Sequence, residues 1–75
     1  MAEDLLEATA ARYDDSAQEL ERAAAHLRIA AAHFRGHEVA RGCAHAFAAY
    51  GHIRVVQRQI DEHAEEHRTK AQLIV

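Results

Sequence analysis

Near its C-terminal end the chain reads DEHAEEH, residues 61–67. His63 and His67 are four apart, and helical histidines at i and i+4 can ligate one ion from a single face, as in HExxH zinc motifs. Imidazole-rich ligation suits zinc, copper or nickel. Asp61, Glu62, Glu65 and Glu66 surround the pair and could complete a shell. Two protein ligands do not make a site by themselves, so the competing expectation is a solvated helix face. His26 and His45 form a second candidate metal pair, which meets only if the chain folds back between them. Its plainer alternative is an interface pair with ordinary hydrogen bonds. The two pairs lie about 18 residues apart, roughly 27 Å along a helix. They cannot share one ion within one chain.

Other chemistries fit less well. HAEEH matches the HxxEH pattern of inverted zinc proteases, but those are large enzymes whose third ligand lies far downstream. HEVAR, residues 37–41, has Arg41 where HExxH needs a second histidine. Di-iron bundles use Glu-x-x-His, and no glutamate stands three before any histidine here. Cys43 and His45 are two apart and point to different helix faces, and nucleophilic catalysis needs a base and an orienting group in a pocket. Protonation offers one further role. The seven histidines would take the formal charge from −3 to +4 between neutral and acid pH. That change would weaken an assembly with histidines at its interface.

The composition predicts that helices carry these residues. Seventy-five residues with eighteen alanines, three glycines and no proline suit long helices. One cysteine excludes an internal disulfide and suggests a reducing cytoplasm. MAEDLLEA has neither a basic n-region nor an apolar run, which predicts no secretory leader. The longest stretch free of Asp, Glu, Lys and Arg, residues 42–53, is too short for the roughly 20 residues of a membrane span. A soluble protein is expected. A net charge of −3 without a basic cluster argues against nucleic acid.

Leu6, Ala10, Tyr13, Ala17, Leu20, Ala24, Leu27, Ala31 and Phe34 keep a 4-3 spacing and predict one helix over about residues 3–35, its seam facing a partner helix. A capping-box pattern at Ser16–Glu19 competes, since it could start a new helix at residue 17. The unbroken period favours one continuous helix. Gly36 suits a helix C-cap at positive φ, and Glu38 suits the first turn of a second helix. The turn is therefore expected at about 36–37 and helix two over about 38–72. Val39, Cys43, Ala46, Tyr50, Ile53, Gln57, Ile60, Ala64, His67 and Ala71 carry the second seam, which Phe47 and Val56 widen. Gly42 and Gly51, tolerated inside the helix, can mark close crossings. AQLIV at the end either docks or frays.

So short a loop forces an antiparallel hairpin, in which facing residue numbers sum to about 72. This register brings His26 to His45 and Glu19 to His52. It sets His63 and His67 near Asp4, Glu7 and Thr9. Two helices cannot enclose a core. The expected fold is all-α, a single helical-hairpin domain over residues 1–75 that dimerises into a four-helix bundle. Residues 1–21 hold seven acids and one arginine, while Arg22, Arg28, Arg35 and Arg41 face only Glu38 in residues 22–50. A two-fold antiparallel dimer sets each acidic open end beside a basic turn.

The stretch ERAAAHLRIAAAHFRGHEVARGCAHAFAAYGHI, residues 21–53, resembles short histidine- and alanine-rich bacterial helical-hairpin proteins. The likeness rests on Ala23, Ala24, His26, Ala30, Ala31, His33, Gly36, His37, Ala40, His45, Ala48, Gly51 and His52. It implies a helical hairpin and brings no activity with it. Leu27, Phe34 and Phe47 stand at or near positions often histidine or polar in that group. The turn is also similar to one tetratricopeptide-type helix pair, but a single pair builds no solenoid. The expected protein is a non-enzymatic homodimer or higher oligomer that binds a divalent metal through helix-face histidines. The alternatives are a module whose apolar faces receive a partner protein's helices and a histidine-based, pH-responsive assembly.

Overall fold

The computed structural model describes residues 2–70 of the chain, with side chains over 3–69. Two helices account for nearly all of them, α1 over Ala2–Arg35 and α2 over Val39–Lys70. The ending AQLIV, and the part of helix two expected beyond residue 70, lie outside the described residues. Among the described residues no helix is long and apolar enough to cross a membrane.

α1 runs through the Ser16–Glu19 capping pattern without interruption. Ser16 is buried, and its hydroxyl donates across the hairpin to Gln59 Oε1 at 2.5 Å. A hydroxyl committed to a tertiary contact does not compete for backbone amides as a cap does. Glu3 and Asp4 in the first turn of α1, and His33 and Arg35 in the last, match the helix dipole.

The turn departs from the sequence expectation. Gly36 does not take positive φ; His37 does, at 62°. The Glu38 amide donates to the His33 carbonyl at 2.8 Å and the His37 amide to Phe34 at 3.0 Å. This pattern is a Schellman motif, whose left-handed residue falls one place beyond the cap. Gly36 is therefore the cap residue, and histidine bears the left-handed conformation glycine would adopt more cheaply. Glu38 is not in the first turn of α2 but before it. Its carbonyl accepts the Gly42 amide at 3.0 Å, the position of an N-cap.

The strip that closes the hairpin is made of small residues. Ala23, Ala30 and Ala49 are its buried apolar side chains, flanked by Ser16 and Gly42. A Cβ on Gly42 would fall 2.5 Å from the Phe34 ring, so glycine lets that ring lie on α2. Gly51 has nothing within 4 Å of such a Cβ and marks no close approach within the hairpin. The large apolar seams read from the sequence lie beside this strip and remain open. Leu6 is 69% exposed, Leu27 50%, Tyr50 49% and Ile53 41%.

Helix geometry fixes where those seams point. At about 100° per residue, Leu20 and Leu27 stand roughly 40–60° to one side of Ala23, and His26 roughly 60° to the other. About Ala49, Ile53 and Ala46 stand on one side, His45 and His52 on the other. The helices run antiparallel, so the two rotations are mirror images. Both leucine-type seams reach one face of the hairpin and the histidines reach the opposite edge. The hairpin measures 55 × 25 × 17 Å with a radius of gyration of 17.4 Å. A compact chain of this length has about 11 Å.

Candidate functional site

Four histidines interleave along the edge of the hairpin. His26 and His33 are seven apart on α1, His45 and His52 seven apart on α2, and their rings alternate in the order His52, His26, His45, His33. The ring centroids of His26 and His52 are 5.4 Å apart at 17°, those of His26 and His45 5.2 Å at 31°, and those of His33 and His45 5.3 Å at 19°. Seven residues make nearly two turns, so each helix presents a ring at every second turn and the partner's rings fill the spaces.

A carboxylate closes each end. His52 Nδ1–H donates to Glu19 Oε2 at 2.5 Å, and His33 Nδ1–H to Glu38 Oε1 at 3.3 Å. Carboxylates only accept, so these bonds leave Nε2 of each neutral outer ring bare. Arg22 donates to Glu19 at 2.9 Å and Arg41 to Glu38 at 2.7 Å. The hydrogen bond from His52 holds the Glu19 carboxyl below its ordinary range. Partial desolvation opposes that shift, and the charges of His52 and Arg22 reinforce it.

The inner pair differs. His26 Nδ1 and His45 Nδ1 face each other at 2.9 Å. One ring must donate and the other accept, so this contact holds a single proton.

His63 and His67 occupy another place. Both line an open groove with Thr9, Tyr13, Ile60, Ala64 and Glu66. Thr9 is where the sequence register put it, but Asp4 and Glu7 are not among the walls. Tyr13 stands there instead, its hydroxyl 2.9 Å from His63 Nδ1 and its ring edge-on at 4.7 Å. The numbers of Tyr13 and His63 sum to 76 rather than about 72. His26–His45 and Glu19–His52 each sum to 71, whereas Ser16–Gln59 sums to 75, so the facing numbers drift upward from the turn toward the open end. His63 Nε2 is buried without a hydrogen-bond partner among the described residues. Glu66 is 3.5 Å from Arg12, which turns one expected ligand toward an ion pair. Among the described residues no three His, Cys, Asp or Glu side chains already converge as a metal site. Cys43 is exposed.

No family model, curated protein or solved structure matches this chain. The relationship that can be read lies inside it. ELERAAAHLRIAAAH, residues 19–33, and EVARGCAHAFAAYGH, residues 38–52, share E-x-x-R-x-x-A-H, then an alanine, then a closing histidine. Each glutamate caps the other segment's last histidine, and each arginine holds its own glutamate. The hairpin thus has an approximate two-fold axis between His26 and His45. Sequence reasoning about facing pairs found His26–His45 and Glu19–His52. It missed the end formed by His33 and Glu38, which the repeated glutamate-histidine-histidine heptads signal.

Proposed function

We propose that this chain is a self-assembling helical protein in which two hairpins pack through their leucine-bearing faces into an antiparallel four-helix bundle. The observation that carries this reading is the hairpin's lack of a core. Among the described residues no large side chain is fully buried, while Leu6, Leu20, Leu27, Tyr50, Ile53 and Ile60 are 41–69% exposed. A compact protein of 8.4 kDa exposes about 4,600 Å². The hairpin exposes 6203 Å². The excess is roughly 1,600 Å² on one chain, or about 3,200 Å² summed over two copies, which is within the range of obligate homodimers.

Charge placement favours a second copy as the occupant. The acidic open end and the basic turn end lie at opposite ends of the 55 Å long axis. A two-fold axis across that length sets unlike ends together in both places, and parallel packing would set like ends together. Sedimentation equilibrium at about 50 µM tests the reading, the expected mass being twice the 8.4 kDa of one chain. A folded, helical single-chain species at that concentration would reject self-assembly. It would leave the apolar face to a different protein.

A further inference from the structure

We infer that His26 and His45 form a two-imidazole clamp for one transition cation of the zinc, copper or nickel class, with His52 or His33 able to turn in as a third ligand. Three observations carry this.

The first is the facing pair. Two Nδ1 atoms from different helices already stand 2.9 Å apart. Imidazole binds zinc at about 2.0–2.1 Å, so two ligands of a tetrahedral ion sit roughly 3.3 Å apart. Opening the pair by about half an ångström admits the ion. A neutral pair needs only the tautomer shift that moves its shared proton to the far nitrogen of the same ring. A singly protonated pair releases one proton on binding.

The second is the outer shell. Metal-bound histidines usually donate their other ring N–H to a carboxylate, which fixes ring and tautomer. His52 already does so to Glu19, and His33 to Glu38. Each therefore keeps Nε2 bare one ring away from the clamp. Both rings lie nearly parallel to their inner neighbours, so either must rotate to ligate. The approximate two-fold symmetry makes the two choices equivalent.

The third is access. The histidines are part-buried on the edge opposite the leucine face. Pairing through that face leaves the clamp open to solvent, and a lone hairpin carries it equally well. The inference is therefore independent of self-assembly. His63 and His67 make the weaker pair, because Tyr13 already engages His63 Nδ1.

Titration of the untagged protein with Zn²⁺ and Ni²⁺, followed by native mass spectrometry and by histidine-ring nitrogen NMR, tests the clamp. One ion per chain is expected, with the largest shifts at Nδ1 of His26 and His45. His26→Asn with His45→Asn keeps polar side chains in place and should weaken binding by at least about a hundredfold. Glu19→Gln with Glu38→Gln should weaken it by about tenfold, through loss of orientation of both outer rings. His63→Ala with His67→Ala should leave it unchanged. The ring shifts come from the unaltered protein, so a variant that fails to fold does not spoil the test. No bound ion, or shifts confined to His63 and His67, would overturn the proposal.

Discussion

At the scale of residues, the histidines do different work according to what faces them. His52 and His33 meet carboxylates, His26 and His45 meet each other, and His63 meets a tyrosine. Glu19 shows the consequence for pH. Its carboxyl titrates below the ordinary value in the folded chain. Its contribution to stability is thus fully present above the unfolded value and fades as pH falls through the lowered folded one. Between about pH 6 and about pH 3, Glu19→Gln should lose less thermal stability than the unaltered chain. Equal losses would show that the Glu19–His52 contact adds nothing. Ser16 gives a second prediction. Its hydroxyl bonds Gln59 in a buried setting, so Ser16→Ala should cost about 1 kcal/mol in denaturant unfolding. A variant as stable as the original would mean that water replaces the bond.

At the scale of elements, the turn governs how the helices enter the hairpin. Gly36 sits at an ordinary φ with room for a methyl group, its nearest neighbour being Glu38 Oε1 at 3.4 Å. Gly36→Ala should therefore stabilise by about 0.5–1 kcal/mol, because alanine restricts the unfolded chain more than glycine does. His37→Gly relieves a left-handed residue and should gain a similar amount, up to about 1 kcal/mol. Chemical denaturation separates these from the opposite assignment, under which Gly36→Ala would destabilise. The two glycines of α2 divide in the same way. Gly51→Ala should add about 1 kcal/mol from helix propensity, whereas Gly42→Ala must first displace the Phe34 ring.

At the scale of the whole molecule, the hairpin has two unlike sides joined by a seam of alanines. If the leucine-bearing side is the assembly surface, Leu27→Asp should bring the sedimentation mass down to one chain with loss of helicity. Phe47 tests the direction of that surface. It is 78% exposed, yet about 160° around α2 from Ala49, pointing away from α1. Phe47→Ser should leave the mass unchanged. A fall in mass with Phe47→Ser would move the interface to the outer side of α2.

The two helices, the place of the turn and the register beside it are legible in the residues alone. Alanine content, the absence of proline and a sustained heptad period are local properties, and a connection as short as the one expected at 36–37 leaves little choice of direction. Near the turn the register is tightly constrained, so His26–His45 and Glu19–His52 could be read from numbers alone. The seams also showed which residues need cover. They did not show from what, because periodicity reports that a face is apolar and says nothing of which neighbour meets it. It takes the packing in three dimensions to show that the hairpin closes on Ser16, Ala23, Ala30, Gly42 and Ala49, a strip rotated by roughly 40–60° from Leu20 and Leu27. Small side chains there let the helices approach and bring the histidine rings within reach of one another. The turn itself set Glu38 against His33, and the drift of register toward the open end brought Tyr13, and neither Asp4 nor Glu7, to His63.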